Sequence, residues 1–161
     1  MLSTYNTKLA TQGVAYVHNL ICGPFTMVGE GTNNAGTDEV RYTPYHVPHQ
    51  TEVAGFMTFL HGDDRFYNNI FVQNEIPQTF AEFCAPMSKQ GWNAIVGLSV
   101  FDEYPTAEEY FSRFFIKGDE GAAEDRSKYY AKMPVYAAGN VYYNGAKPWK
   151  KEVNCRVDTE H

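Results

Sequence analysis

The chain has 161 residues, a mass of 18.3 kDa and a formal net charge of −6 at pH 7, which suits one domain or part of one. Its content of hydrophobic residues (43%) and aromatic residues (16%) excludes a disordered chain. The acidic balance, 13 Lys and Arg against 19 Asp and Glu, disfavours nucleic acid as a partner and is compatible with neutral sugars, which pack on aromatic rings.

Three cysteines are spread along the sequence, at Cys22, Cys84 and Cys155. Their odd number and wide spacing favour reduced thiols in the cytoplasm over a disulfide framework or a cysteine zinc site. The first residues lack the basic and apolar regions of a secretion signal, and no window holds the roughly 18 apolar residues of a membrane span. We therefore expect a cytoplasmic protein without a membrane partner.

Three segments share a pattern of short apolar runs on either side of an asparagine: residues 14–22, 66–72 and 135–143. Each segment is typical of two short strands with a bend between them, because Asn and Gly tolerate the left-handed backbone region. The bends are expected at three dipeptides: His18-Asn19, Asn68-Asn69 and Gly139-Asn140. Stacked coils with such bends form a parallel β-helix, in which each coil buries its inner face against its neighbours. Three unrelated strand-and-turn units in a β-sandwich are the alternative.

The stretches between these segments differ in composition. Residues 23–48 contain repeated Gly and Pro and are expected to form a long loop excursion. Residues 74–132 are expected to form a partly helical insertion, in which a capping box from Thr106 to Glu109 begins a helix. An apolar stripe on that helix is expected to pack against the scaffold, and Gly118 is expected to end the helix. The stripe consists of Tyr110, Phe111, Phe114 and Phe115.

The densest polar residues fall in two neighbouring windows, residues 42–52 and 61–65. Prolines hold the first window extended and stiff. Seven side chains in these windows are the candidates for substrate binding: His46, His49, Glu52, His61, Asp63, Asp64 and Arg65. Histidines and carboxylates can hydrogen-bond sugar hydroxyls while Tyr42 or Tyr45 stacks on the ring.

Two other interpretations of the same residues stay open. A metal ion could be held by His46, His49, Glu52 and His61, although Pro48 rules out the helical spacing of a zinc protease motif. In the structural interpretation, Asp63 or Asp64 caps a turn, Arg65 pairs with one of them, and the histidines bond loop carbonyls. We expect no metal and no other cofactor.

Catalytic residues are not identified by the pattern alone. Glycoside hydrolysis usually needs two carboxyl groups that flank the scissile bond. Four acids are available, Asp38, Glu52, Asp63 and Asp64, but no pair stands out, and adjacent Asp63 and Asp64 would point to opposite faces of a strand. A serine hydrolase is disfavoured because the sequence has no Gly-x-Ser-x-Gly turn.

Residues 7–73 resemble consecutive stretches of the glycoside hydrolase family 120 β-xylosidases. The likeness is most specific along residues 62–72, and residues 134–148 are also similar. The resemblance implies a right-handed parallel β-helix that carries a β-sandwich. It also implies release of xylose from the non-reducing ends of xylo-oligosaccharides, with retention of the anomeric configuration.

The resemblance also implies where the catalytic pair lies. The nucleophilic Asp and the acid/base Glu of the family occur upstream, in Leu-Asp-Trp and Val-Glu-Val-Asn-His-Gly-Pro contexts, and neither context occurs in this sequence. Residues 1–161 are therefore expected to form a mostly β, partial parallel β-helix domain that is inactive alone. Its exposed ends are expected to favour self-association.

Other functions on the same scaffold remain as alternatives. The first is a non-catalytic carbohydrate-binding β-helix, in which the polar and aromatic residues bind a glycan without cleaving it. A polysaccharide lyase is less favoured, because the usual calcium-binding and basic residues form no evident group in the sequence. A purely structural repeat protein is the last.

Overall fold

The structure is a computed structural model, and it describes residues 2–3, 7–9, 12–27, 42–58, 60–86, 93–113 and 132–158. Short strands dominate these ranges. The strands are β1 (Leu2–Ser3), β2 (Thr7–Leu9), β3 (Ala15–Val17), β4 (Leu20–Ile21), β5 (Phe25–Met27), β6 (Tyr42–His46), β7 (Val53–Thr58), β8 (Asp64–Tyr67), β9 (Ile70–Val72), β10 (Val135–Ala138), β11 (Val141–Tyr143) and β12 (Arg156–Asp158). The helices are α1 (Gln78–Cys84) and α2 (Ala107–Ser112), with a 3-10 turn at Ser99–Phe101.

Most strands lie in parallel sheets. One sheet has five strands in the order β1-β4-β9-β11-β12, and a second has three in the order β10-β8-β3. All neighbouring strands in these two sheets are parallel, as are β2 and β5 in a separate pair. The prediction of a mostly β chain is confirmed, and its strands are joined by the long connections that parallel pairing requires.

The three predicted bends are confirmed and lie in line. His18, Asn68 and Gly139 have φ angles of 56°, 54° and 70°, and each bend leads from the three-stranded sheet into the five-stranded one. Neighbouring bends are hydrogen-bonded, because the N–H of His18 donates to the carbonyl of Tyr67 (3.1 Å) and the N–H of Asn68 to that of Ala138 (3.2 Å). We call the two sheets joined by these bends the parallel stack.

The core fills the space between the two sheets with aromatic residues in register. Tyr16 and Phe66 stack with centroids 5.5 Å apart and an interplanar angle of 4°, and Phe71 and Tyr142 stack at 4.9 Å and 5°. These pairs are parallel because their strands are paired residue for residue. Residues from the connections, including Phe101, complete the core, so the stack is stabilised mainly by apolar burial.

The predicted insertion over residues 74–132 contains α1, the 3-10 turn and α2 in its described part. Thr106 caps α2, since its side chain accepts the N–H of Glu109 while the Glu109 carboxylate accepts the N–H of Thr106. Within the predicted apolar stripe, Tyr110 is buried but Phe111 is 51% exposed. The expectation that Phe111 packs inward is wrong, because adjacent helical positions point about 100° apart. The rest of the prediction, Phe114, Phe115 and Gly118, lies outside the described residues.

The predicted loop excursion over residues 23–48 contains strand residues near both ends. β5 lies near its start, and β6 near its end pairs antiparallel with β7 to form a hairpin. Pro44 is compatible with β6 because, in the described residues, β6 pairs with β7 alone, so one edge of the strand needs no ladder hydrogen bond. Tyr45 faces Gly55 across the hairpin and lies over it, since a Cβ at Gly55 would be 2.6 Å from the Tyr45 hydroxyl oxygen.

Candidate functional site

The structure separates the seven candidate side chains into two groups. His46, His49 and Glu52 lie exposed on the β6–β7 hairpin. In this hairpin His46 Nδ1 lies 3.1 Å from the carbonyl oxygen of Thr51 and 3.2 Å from that of Glu52. Because a carbonyl oxygen can only accept, Nδ1 carries the proton. The other four residues lie at the bend before β8 and in its first half.

His61 is completely buried at that bend. Its Nε2 lies 3.2 Å from the carbonyl oxygen of Leu9, and its Nδ1 lies 3.0 Å from the hydroxyl of Tyr104. The carbonyl contact assigns the proton to Nε2, so Nδ1 accepts from Tyr104. Neither nitrogen is directed to a ligand, and in the described part of the chain no three His, Cys, Asp or Glu side chains are arranged to hold a metal ion.

The backbone at this bend is unusual and fixes where the next side chains point. His61, Gly62 and Asp63 have φ angles of 57°, 112° and 57°, a run of left-handed residues that is costly for L side chains. Gly62 is required there, because a Cβ would lie 2.6 Å from the carbonyl oxygen of Met133. After the bend, the strand alternation buries Asp64 and leaves Arg65 partly exposed.

Asp63 and Arg65 form an ion pair on the outer face of the three-stranded sheet. One guanidinium nitrogen lies 2.9 Å from Asp63 Oδ1, and the other donates to the Asp63 carbonyl oxygen at 2.7 Å. The guanidinium carbon lies 4.8 Å from the centre of the Tyr136 ring. The bond to Asp63 raises the pKa of Arg65, so the pair presents a cation held at two points rather than a mobile side chain.

The register of the sheet places two tyrosines beside this ion pair. Arg65 is paired with Tyr136 on β10, and Tyr67 lies two residues further along β8 on the same face. Asp63, Arg65, Tyr67 and Tyr136 are hereafter the outer-face patch. It offers guanidinium and phenol donors, a carboxylate acceptor and two ring surfaces, which is the chemistry that recognises sugar hydroxyls and ring faces.

Asp64 points the opposite way, into the parallel stack, and its relative exposure is 0%. Its Oδ1 accepts the N–H of Val14 at 3.1 Å, while its Oδ2 has no hydrogen-bond partner. Burial, with a smaller contribution from the charge of Asp63, raises the pKa of Asp64 to about 7. Asp63 lies in the bend before β8 and pairs with Arg65, whereas Asp64 is buried, so the two adjacent carboxyls do not face one cleft.

The comparisons with known proteins give one similar solved structure, described as the complex structure of XylC with xylose. Its TM-score to this chain is 0.63 and its sequence identity is 35%. The match covers 95% of this chain but 20% of the XylC chain, so the chain spans about a fifth of XylC. No family model matches the chain. The search of curated proteins also finds no match.

The likeness to XylC adds to the sequence resemblance, but it does not assign the site residues. Substrate binding by the seven candidates stays a prediction, and Asp38 lies outside the described residues. Sequence reasoning missed Tyr67 and Tyr136 as neighbours of Arg65. The shared alternation of Arg65, Tyr67 and Tyr136 predicts that each lies on the face opposite the apolar residues, but it does not predict that Arg65 and Tyr136 are paired.

Proposed function

We propose that the chain is part of a glycoside hydrolase, a retaining β-xylosidase that acts on xylo-oligosaccharides. The observation that carries the proposal is the likeness of this chain to XylC, which covers 95% of this chain with a TM-score of 0.63 and 35% sequence identity. XylC was solved with xylose, which makes a pentose the first ligand to test. In this proposal residues 1–161 form one partial domain of a right-handed parallel β-helix, and the catalytic Asp and Glu lie outside this chain.

The outer-face patch supplies the groups that a xylose unit needs. Arg65 is held in place by Asp63 and by the ring of Tyr136, so little side-chain entropy is lost when its N–H groups bond a hydroxyl. Tyr67 adds a second ring on the same face. We propose that Asp63 and Arg65 hold sugar hydroxyls while the tyrosines contact the ring.

The remaining candidates have different roles in this proposal. His46, His49 and Glu52 contribute polar groups from the exposed hairpin. His61 and Asp64 are fully buried, so they act on the sugar only by bracing the bend that carries Asp63 and Arg65.

A non-catalytic carbohydrate-binding protein is the second candidate. One observation favours it: Asp63 is engaged by Arg65, and Asp64 faces the interior. Hydrolysis requires two carboxyl groups that face a common cleft. In the described residues, the bend at residues 61–63 and the start of β8 do not provide such a pair. Binding by the outer-face patch would then be the complete function.

An aryl β-xyloside separates the two candidates. The longer protein that carries this chain is expected to release nitrophenol from it, while the chain alone releases none. Arg65→Ala in the longer protein should lower kcat/KM at least roughly tenfold, the effect of losing one charged hydrogen bond. The matched control is Arg156→Ala, which removes an exposed arginine paired with Asp158 at 3.3 Å on β12. No release by the longer protein would exclude the xylosidase and leave the binding protein.

We also propose where the protein lies in the cell and how it associates with itself. The three cysteines are free thiols, and we place the protein in the cytoplasm. None of the helices in the described ranges is long and apolar enough to span a membrane. We further propose that the chain associates with itself through the ends of the parallel stack, where β12 closes the five-stranded sheet.

A further inference from the structure

Asp64 is a buried carboxyl group in which only one of the two oxygens has a hydrogen-bond partner. Its Oδ1 accepts the N–H of Val14, whereas its Oδ2 is buried without a hydrogen-bond partner. The carboxylate of Glu152 is different, because it accepts hydrogen bonds from both Asn140 and Tyr142. An ionised oxygen without a partner is far more costly to bury than a neutral acid. The site therefore suits Asp64 in its protonated form.

The described groups that face Asp64 offset the burial of a negative charge only in part. The N–H of Val14 favours the charge, Asp63 in the bend repels it, and Arg65 attracts it from the outer face while bonded to Asp63. β3 contributes the phenol of Tyr16, whose pKa is raised by burial and by the charge of Asp64. β10 presents the apolar Val135 in register with Asp64.

We propose that Asp64 is a pH-sensitive latch between Val14 and the bend at residues 61–63. In its neutral form Asp64 holds the N–H of Val14 and packs inside the parallel stack. When the proton leaves to solvent, the unpaired charge draws water into the bend and the contact with Val14 opens. Since Asp63 and Arg65 adjoin Asp64 in the chain, opening also displaces the outer-face patch.

The pKa of Asp64, raised to about 7 by burial, places this change near neutral pH. The folded state binds the proton more tightly than the unfolded state, so the latch is closed in mildly acidic solution. It opens as the pH rises through the pKa of the folded state.

Carboxyl-carbon NMR and amide hydrogen exchange on the whole chain test the latch. The Asp64 carboxyl is expected to titrate near neutral pH. Exchange of the Val14 amide, corrected for its intrinsic pH dependence, should accelerate roughly tenfold or more between pH 5.5 and 8.5. Asp64→Asn should abolish the acceleration. Asp63→Asn should retain the acceleration but move it to lower pH, because it removes a charge that raises the pKa of Asp64.

Titration of Asp64 below pH 5, or corrected Val14 exchange that does not change with pH, would overturn the latch. If Asp64→Asn does not fold, the titration and exchange of the unmodified chain decide the question. Neither readout uses a sugar, so failure of the latch and failure of the proposed function are distinguishable.

Discussion

The side-chain oxygen of Asn140 accepts two hydrogen bonds from Asn69, the asparagine of the neighbouring bend in the parallel stack. Asn140 Oδ1 accepts the backbone N–H of Asn69 at 2.8 Å and its side-chain amide at 2.9 Å. Asn69 Oδ1 accepts the backbone N–H of Asn19 in the same way at 2.9 Å. The three predicted bend asparagines thus form a ladder, which satisfies the backbone N–H groups that the bends leave outside the sheet bonds.

Asn69 is expected to be the most sensitive position of this ladder. Its side chain is fully buried and also donates to the carbonyl of Tyr16 at 3.0 Å. Asn69→Ala leaves the N–H of Asn19 and that carbonyl without these partners, at a cost of about 2–4 kcal/mol. Urea unfolding measures it. The control is Asn74→Ala, an exposed asparagine with one bond to Cys22, which should cost under about 1 kcal/mol. Equal costs would contradict the ladder.

Glu152 ends the ladder and should be the next most sensitive residue. It accepts the N–H and side-chain amide of Asn140 and the hydroxyl of Tyr142. Glu152→Ala removes all three bonds, although the Asn140 amide keeps its bond to the carbonyl of Phe66, and it is expected to cost about 3–5 kcal/mol. Tyr142→Phe removes one bond and should cost about 1–3 kcal/mol. Chemical unfolding of the two variants gives the order. A larger loss for Tyr142→Phe would contradict this role.

Substitutions at Gly97 and Gly145 allow the cost of backbone strain to be measured apart from the cost of a steric clash. Gly97 and Gly145 have φ angles of 118° and 91°. A Cβ at Gly97 would collide with the carbonyl of Lys147, while one at Gly145 would meet nothing within 4 Å. Gly145→Ala should therefore cost only the strain of its conformation, about 1–2 kcal/mol. Gly97→Ala should cost at least about 2 kcal/mol more, measured by thermal unfolding. Similar melting temperatures would argue against the close approach of Gly97 to Lys147.

The bends were predictable from sequence because their cause is local. Asn and Gly tolerate positive φ wherever they occur, and the capping box at Thr106 likewise depends on residues three positions apart. The pairing of Arg65 with Tyr136 was not predictable, because it depends on which strands become neighbours across a long connection. The burial of His61 escaped prediction for the same reason, since its partners Leu9 and Tyr104 are distant in sequence.

Stability should depend on pH through Asp64. Its pKa of about 7 in the folded chain exceeds the ordinary value of 3.8, so its stabilising effect is complete below about pH 4 and is lost as the pH rises to 7. The contribution of Asp64 to the free energy of unfolding, taken as the difference from Asp64→Asn, is expected to fall by about 4 kcal/mol between pH 4 and 8. Urea unfolding at a series of pH values measures the slope, which Asp64→Asn should flatten. A difference that rises over this interval would contradict the assignment.

Self-association should depend on the end of the parallel stack. Val157 is in register with the buried Tyr142 on the inner face of its sheet but is 48% exposed. Val157→Lys is expected to shift the chain toward monomer in sedimentation velocity, because a charge there opposes burial. Val53→Lys alters a valine of similar exposure on the hairpin and should leave the distribution unchanged. An equal effect of both variants would place the contact elsewhere.

Binding of xylotriose to the outer-face patch is the central test of sugar recognition by this chain. In a titration of the labelled chain followed by amide NMR, we expect saturable shifts at Asp63, Arg65, Tyr67 and Tyr136. We also expect these shifts to be lost in Arg65→Ala and retained in Arg156→Ala. Xylotriose that produces no shift at the patch, or shifts confined to the β6–β7 hairpin, would contradict sugar recognition on this face.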